Sequence, residues 1–330
     1  MKNNKYGIAL LGLGQYTTDQ LANAIQQSKN CFIAAAVSSS VEKAKEWSLS
    51  QKLENIACYS HDNFETIHTN TDVDIVYIVL PNALHAEYAI KAAKARKHVI
   101  CEKPMAITVS ECDSMIKACN EAGVKLAIGY RLHFEPHNAE IKRFADEQVF
   151  GKVKKVTAKN GITDAQGWEL DKNMAGGGPL VNVGVYCVQA ARYATGLEPI
   201  YITAQEGQKS NPDKFKTVEE SITWQMHFDD GVVADCFATY TENLSDLHIE
   251  AEHGWTKLQP AFGYDSIKGI TSSGPLDLGQ VSDQTLLIDH VADCIKENKD
   301  IIVSGEEGKK DIQIIEAIYK AARTGDKVYL

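Results

Sequence analysis

The chain has 330 residues, of which 44% are hydrophobic and 24% are charged, and its formal net charge is −10. This length suits two domains, and the balanced composition argues against long disordered tracts. Because the net charge is negative and the basic residues are scattered, we expect neither nucleic acid nor a membrane surface as a partner. No apolar run reaches the ~20 residues that span a bilayer. The first strand-like segment follows the start of the chain at once, so we predict a cytoplasmic location.

The spacing of cysteine and histidine predicts neither disulfides nor a metal site. The eight cysteines include no C-x-x-C pair, which is typical of reduced core thiols. His133 and His137 are four residues apart, but Pro136 lies between them and no set of carboxylates and histidines accompanies them. We therefore predict no metal and interpret Arg131 and His133 as polar lining of a cleft.

The N-terminal part of the chain alternates short apolar runs with helical segments. Continuous apolar strands separated by helices are typical of a parallel sheet covered on both faces. We predict an α/β domain with a Rossmann fold over residues 1–128. A capping box, Thr108-x-x-Glu111, and Gly123 bound its clearest helix. The predicted strands are 6–11, 32–37, 56–59, 73–80, 98–101 and 125–129.

After about residue 130 the pattern changes to strands that follow one another without intervening helices. We predict an α+β domain over residues 129–330, with an open, largely antiparallel sheet and closing helices at 284–296 and 309–323. The Asp229-Asp230-Gly231 turn indicates a hairpin. One uncovered, apolar sheet face favours a homodimer or homotetramer. The predicted strands are 153–159, 200–206, 221–228, 232–240, 247–252 and 255–259.

A glycine-rich turn follows the first predicted strand. Gly12-Leu13-Gly14-Gln15-Tyr16-Thr17 opens a helix, which is the context of a dinucleotide fingerprint, although Thr17 occupies the place of the third glycine. A plain strand-to-helix turn is the alternative for such a short motif. The βαβ pattern that follows favours a cofactor, bound by Gly12, Gly14, Gln15 and Tyr16.

The end of the second strand bears on which nicotinamide cofactor binds. An acidic residue there would bind the ribose diol of NAD, but the chain has Val37-Ser38-Ser39-Ser40 and then Lys43. Serine hydroxyls, the free backbone N–H groups at the start of a helix and a lysine suit the 2′-phosphate of NADP. The alternative is a serine N-cap and a solvated lysine. We predict NADP rather than NAD, with Ser38 and Lys43 as selective residues.

Two further segments fall at carboxyl ends of strands, where ligands bind in such sheets. Leu80, Asn82 and His85 follow the fourth strand and are predicted to contact the cofactor. The alternatives are that Asn82 only caps the following helix and that His85 only packs that helix in place. Cys101-Glu102-Lys103-Pro104-Met105 follows the fifth strand and offers an ammonium group. Lys103–Pro104 is a candidate cis peptide bond, and the alternative is a trans proline that ends the strand.

The glycine run Gly176-Gly177-Gly178 precedes Asn182 and Tyr186, which are four residues apart. In a helix these two side chains would lie one above the other. A lysine near a tyrosine favours tyrosinate, so Lys103 and Tyr186 form a plausible pair for proton transfer. We expect the active site between the two domains.

Taken together, these motifs resemble the glucose–fructose oxidoreductase/inositol dehydrogenase (Gfo/Idh/MocA) family, and within it the glucose–fructose oxidoreductase branch. The resemblance covers nearly the whole chain. It implies an NADP-dependent oxidoreductase that transfers a hydride between nicotinamide and a sugar or polyol. By resemblance Lys103 lies beside the nicotinamide and holds the reacting oxygen, and Tyr186 is the acid/base. Glu102 and Arg131 belong to the same motifs and are expected at the cofactor.

Two features depart from the pattern of that family. The family's acidic position is Asn182 here, so a charge beside the acid/base is missing. The chain also shows no long exported arm around the cofactor, from which we expect an exchangeable cofactor. Alternatives are an aldose or inositol dehydrogenase of the same family, and a catalytically weak NADP-binding sensor.

Overall fold

The computed structural model describes residues 5–264 and 267–330. Over these residues the chain divides into two compact units. The first comprises the described part of Met1–Phe134 together with Ser282–Lys309, and the second the described part of Glu135–Val281 together with Lys310–Leu330. It stays a prediction that residues 1–128 bind the cofactor and that residues 129–330 bind the substrate and form the oligomer, because compactness alone assigns no function.

The first unit contains a sheet whose six strands are all parallel over the described residues. Its order β3-β2-β1-β4-β5-β6 is that of a doubly wound dinucleotide-binding fold. The predicted Rossmann fold is confirmed. The strands are β1 (Tyr6–Leu11), β2 (Cys31–Ser38), β3 (Ala57–Ser60), β4 (Ile75–Ile78), β5 (His98–Cys101) and β6 (Leu126–Ile128).

The second unit contains a separate sheet, in which nine strands of the described chain follow the order β14-β13-β12-β11-β7-β10-β9-β8-β15. Only the β7–β10 pair among them is parallel. The predicted hairpin at 229–231 joins β9 to β10. The strands are β7 (Val153–Gly161), β8 (Tyr201–Glu206), β9 (Ser221–His227), β10 (Val233–Thr239), β11 (Leu244–Ala251), β12 (Gly254–Leu258), β13 (Gly269–Thr271), β14 (Gly274–Leu276) and β15 (Val328–Tyr329).

The helices agree in place with those predicted. The capping box of α4 is confirmed, because Thr108 and Glu111 bond each other's backbone N–H and Gly123 ends the helix at φ +67°. The last helix begins at Gly305, four residues before the predicted start. The α-helices are α1 (Ala22–Gln27), α2 (Val41–Ser50), α3 (His85–Lys94), α4 (Val109–Ala122), α5 (Pro136–Asp146), α6 (Lys172–Ala175), α7 (Val185–Thr195), α8 (Asp283–Glu297) and α9 (Gly305–Thr324).

The outward face of β9 is polar, which agrees with the alternation of polar and apolar residues along this strand. Thr223 and Gln225 are exposed there, and Gln225 bonds Asp235 of the neighbouring strand. Ile222 and Trp224, in contrast, are buried on the inner face. The oligomeric state stays a prediction.

All eight cysteines are free thiols, and seven of them are buried. This agrees with the predicted reduced core thiols. Within 5–264 and 267–330 no helix is both long and apolar enough to cross a membrane.

Candidate functional site

The turn after β1 depends on Gly12. Its φ is +98°, and a Cβ there would lie 2.0 Å from the carbonyl oxygen of Val79. Gly14 is exposed, and a Cβ placed on it would meet no atom within 4 Å. The first glycine is therefore required by the packing of the turn, whereas the second lies in open space where a ligand can approach the backbone.

Thr17, in the place of the third glycine, stabilises this turn through its side chain. Its Oγ1 donates to the carbonyl of Gly12 over 2.7 Å, and the residue is fully buried. The chain continues as a π-helical turn over Thr17–Leu21 into α1. Gln15 is exposed and Tyr16 half-buried beside this turn, so both are accessible to a cofactor.

The end of β2 carries hydroxyl groups and an exposed lysine. Ser38 is the last strand residue and is half-buried, and Lys43 is exposed on the first turn of α2. The N-cap of α2 is Ser40, which accepts from the backbone N of Lys43. The capping alternative therefore applies to Ser40, and Ser38 is not the cap.

Leu80, Asn82 and His85 follow β4, as predicted. Asn82 is buried in a short 3₁₀ turn, Asn82–Leu84, and does not cap α3. The His85 ring nitrogens lie 2.9 Å from two carbonyl oxygens, Nδ1 from that of Pro104 and Nε2 from that of Leu80. Desolvation lowers the pKa of this fully buried histidine. His85 thus joins the end of β4 to the Lys103–Pro104 segment.

The Glu-Lys-Pro motif leaves β5 with a buried carboxylate. Glu102 accepts from the Tyr77 hydroxyl over 2.9 Å and from the backbone N of Lys103 over 3.2 Å. Burial raises the pKa of Glu102, which the nearby Lys103 charge opposes. The Lys103–Pro104 bond is cis, as predicted, and Lys103 is half-buried.

Arg131 is held by an acid that sequence reasoning missed. Its Nη1 donates to Asp283 Oδ2 over 2.6 Å, and both side chains are buried. Asp283 is the first residue of α8, 152 residues away in sequence. The guanidinium therefore has a structural partner, and its role towards a cofactor stays a prediction.

In the second unit, a buried carboxylate holds the glycine run. Glu219 accepts from the backbone N of Gly178 over 2.9 Å and of Leu180 over 3.2 Å. The Tyr319 hydroxyl donates to the same carboxylate over 2.8 Å. A Cβ on Gly177 would lie 1.9 Å from that hydroxyl oxygen. Burial raises the pKa of Glu219.

The segment after the run is not a regular α-helix at its start. Leu180–Gly184 is a π-helical turn that leads into α7. Asn182 therefore lies in a wider turn than Tyr186, which belongs to the regular α-helix. Gly184 packs closely, since a Cβ there would lie 3.1 to 3.2 Å from three side-chain atoms. Tyr186 is buried, with its ring stacked on Phe262 at 6.1 Å between centroids.

Asn182 has a carboxylate partner. Its Nδ2 donates to Glu169 Oε1 over 2.9 Å. Glu169 is half-buried on the short turn Gly167–Leu170. Sequence reasoning missed both Glu169 and Glu219. Glu219 belongs to no recognisable local motif, and the local signal for Glu169 is its capping box with Gln166.

The histidines considered for a metal have other contacts. His137 Nδ1 lies 2.7 Å from Glu135 Oε1, and Nε2 lies 3.2 Å from the carbonyl of Leu276. The His133 ring lies 6.1 Å from that of Tyr130. In the part of the chain that the structure describes, no group of three or more His, Cys, Asp or Glu side chains is placed to hold a metal ion.

Three family descriptions match consecutive parts of the chain. Residues 6–130 match "Oxidoreductase family, NAD-binding Rossmann fold", residues 138–255 match "GFO/IDH/MocA C-terminal domain", and residues 252–330 match "Oxidoreductase family, C-terminal alpha/beta domain".

Several individual proteins are similar to this chain over almost its full length and theirs. The crystal structure of an aldose–aldose oxidoreductase from Caulobacter crescentus, complexed with glycerol, matches with a TM-score of 0.95 and 37% identity over 99% of this chain and 100% of that one. D-xylose 1-dehydrogenase [NADP(+)] of Haloarcula marismortui is 28% identical over 99% of this chain and 94% of its own. The 1,5-anhydro-D-fructose reductase of Ensifer adhaerens is 25% identical over 98% and 97%. These matches, together with the parallel sheet and its glycine turn, show that the chain belongs to the GFO/IDH/MocA family of oxidoreductases.

Proposed function

We propose that the protein is an NADP(H)-dependent oxidoreductase that transfers a hydride between nicotinamide and an aldose or related polyol, as in the glucose–fructose oxidoreductase branch. The observation that carries this proposal is the end-to-end similarity to an aldose–aldose oxidoreductase at 37% identity. Relatives named for xylose oxidation and anhydrofructose reduction support the same substrate class.

The first unit fits a dinucleotide. The turn at Gly12 leaves no room for a side chain, whereas the backbone at Gly14 lies in open space beside a helix start. Backbone N–H groups at such a place suit a pyrophosphate. When bound, NADP(H) accepts or supplies the hydride. The residues that we propose to hold it are Gly12, Gly14, Gln15, Tyr16, Ser38, Lys43, Leu80, Asn82, His85, Glu102, Lys103 and Arg131.

Three side chains are proposed to act on the sugar. Tyr186 takes the hydroxyl proton during oxidation and returns a proton during reduction. The Lys103 ammonium holds the reacting oxygen and stabilises the negative charge that develops on it. Asn182 orients the hydroxyl beside Tyr186. Glu102, fixed by Tyr77, restrains the backbone of Lys103.

We propose NADP rather than NAD because no acidic residue follows β2 in the segment Val37–Ser40, where Ser38 and the exposed Lys43 lie instead. Ser38→Asp would bring a carboxylate against the 2′-phosphate, so we expect the preference to shift towards NADH. Titration of both reduced cofactors by protein fluorescence measures this. Tighter binding of NADH than of NADPH by the unsubstituted protein would refute the assignment.

A dehydrogenase that uses free NADP⁺ is the second candidate, favoured by the similarity to D-xylose 1-dehydrogenase [NADP(+)]. Two assays separate the candidates. The first follows reduced nicotinamide with added NADP⁺ and a panel of aldoses. The second incubates aldose mixtures with no added nucleotide and measures lactone and alditol, which an internal transfer forms in equal amounts. Binding of NADP with no turnover of any aldose in either direction would contradict both candidates and favour a sensor.

The homo-oligomer and the cytoplasmic location are retained as parts of this proposal. Light scattering after size exclusion measures the mass in solution. A monomer at all concentrations would remove the homodimer and homotetramer from it.

A further inference from the structure

The amide of Asn182 is fixed by a carboxylate from a separate turn. Its Nδ2 donates to Glu169 Oε1 over 2.9 Å. A primary amide carries its N–H donors on Nδ2 and its acceptor on Oδ1. Because Nδ2 faces the Glu169 carboxylate, Oδ1 faces away from it and is the atom suited to accept from a hydroxyl group.

Glu169 is itself held in place by its surroundings. Its Oε2 accepts from the backbone N of Gln166 over 3.0 Å. The carbonyl of the next residue, Leu170, accepts from Thr217 Oγ1 over 2.9 Å, and the same hydroxyl accepts from the backbone N of Lys172 over 3.1 Å. A carboxylate restrained on both oxygens keeps its direction. It therefore selects one of the two flipped orientations of the amide.

The Glu169–Asn182 contact also places negative charge at this part of the second unit. Asn182 itself is neutral, yet a carboxylate oxygen lies 2.9 Å from its amide nitrogen. A hydrogen bond to an ionised group is stronger than one between neutral groups and polarises the amide. The carbonyl oxygen of a polarised amide is a better hydrogen-bond acceptor.

We propose that Glu169 is a positioning residue of the acid/base site, which acts through Asn182. The carboxylate holds and polarises the amide, so that Oδ1 accepts a hydrogen bond from the sugar hydroxyl on which Tyr186 acts. This inference rests on the proposed function. It adds a residue to the reaction that shares no sequence motif with Lys103, Asn182 or Tyr186.

A charge-exchange experiment tests this proposal. The proteins compared are the unsubstituted protein, Glu169→Gln, Asn182→Asp and the double variant. We expect Glu169→Gln to lower kcat about 10- to 100-fold, the usual effect of losing a hydrogen bond to a charged group. Asn182→Asp places a second carboxylate beside that of Glu169, and the repulsion between them should lower kcat as well. In the double variant the new amide at 169 can donate to the new carboxylate at 182, so we expect kcat at least about tenfold above that of Asn182→Asp.

Matched controls separate this role from folding. Asp164→Asn removes an equal, exposed charge five residues from Glu169 and should leave kcat unchanged. NADPH affinity should be the same in all variants. The unfolding free energies of the same four proteins, measured with denaturant and without sugar or nucleotide, should be non-additive for positions 169 and 182.

The outcomes are distinguishable. Unchanged kcat in Glu169→Gln, or a double variant whose loss is the product of the two single losses, would overturn the role of Glu169 while leaving the proposed function intact. If the unsubstituted protein turns over no sugar, the proposed function fails and the inference fails with it.

Discussion

The two glycine-rich turns of this molecule look alike in sequence but are required for different reasons. After β1, a Cβ on Gly12 would meet a backbone carbonyl, that of Val79, at 2.0 Å. Before α7, a Cβ on Gly177 would meet the hydroxyl of the Tyr319 side chain at 1.9 Å. Both turns lead into a π-helical turn and then an α-helix. One glycine makes room for the main chain and the other for a side chain.

This difference decides what can compensate for a substitution. A backbone carbonyl cannot be removed, and moving that of Val79, directly after β4, would disturb the end of the sheet. A side chain can be shortened or replaced. The second turn is therefore adjustable through Glu219 and Tyr319, which lie far along the chain, whereas the first is fixed by the backbone next to it.

The largest expected effect comes from the glycines themselves. Gly12→Ala should cost about 3–5 kcal/mol of unfolding free energy, since it adds a backbone clash to an unfavourable positive φ. Gly14→Ala is the matched control and should change stability by less than about 0.5 kcal/mol, because its Cβ meets nothing within 4 Å. Denaturant unfolding of both variants measures the two costs.

Gly177→Ala should cost about 1–3 kcal/mol, and it should cost less when Tyr319→Leu is present. The second substitution removes the hydroxyl that the new methyl group would meet. Equal cost in both backgrounds would show that the two turns do not differ in the way described.

An effect of similar size to that of Gly177→Ala is expected at the carboxylate that holds the second turn. Glu219→Ala leaves the N–H groups of Gly178 and Leu180 and the Tyr319 hydroxyl without their acceptor. The expected cost is about 1–3 kcal/mol of unfolding free energy. Glu219→Gln keeps one carbonyl oxygen and should cost less. A Glu219→Ala variant as stable as the unsubstituted protein would exclude this carboxylate as the element that fixes the turn.

The smallest effect is the pH dependence of the unfolding free energy, which has opposite sign for His85 in the first unit and Glu219 in the second. Burial lowers the pKa of His85, so the unfolded chain binds more protons below the ordinary histidine pKa of about 6.5 and stability is lost as pH falls. Burial raises the pKa of Glu219, so its contribution is present below the ordinary glutamate pKa and is lost as pH rises through the folded value.

Unfolding free energies measured between about pH 7.5 and 5.5 test the histidine contribution. His85→Gln should flatten the decline towards acid pH, and His68→Gln, at an exposed histidine, is the control. An unchanged slope in His85→Gln would contradict this account.

How far the sequence predicts the structure depends on the range of the interactions. The strands of the first unit, the capping box at Thr108 and the turn at Gly12 are readable because their determinants lie within a few residues. Asp283, Glu219 and Tyr319 are not, because they reach Arg131, Gly178 and Gly177 from distant parts of the chain. The π-helical turn at Asn182 was missed for the same reason: side-chain periodicity does not report the carboxylate that holds its first N–H groups.

The two faces of β9 follow from alternation within the strand. Ile222 and Trp224 are buried, and the outward Thr223 and Gln225 are exposed. Alternation gives the direction of a side chain, and the character of the outer face depends on the residues of several strands at once.

The central claim is that Tyr186 moves the proton in an NADP-dependent reaction of a sugar, and kinetics of Tyr186→Phe test it most directly. The measurement is kcat on the best aldose found, with NADPH affinity determined in parallel. We predict a loss of about 10²–10⁴-fold in kcat, the usual contribution of a positioned acid or base, with cofactor affinity largely unchanged. Turnover equal to that of the unsubstituted protein would contradict the account and make His133 the next candidate.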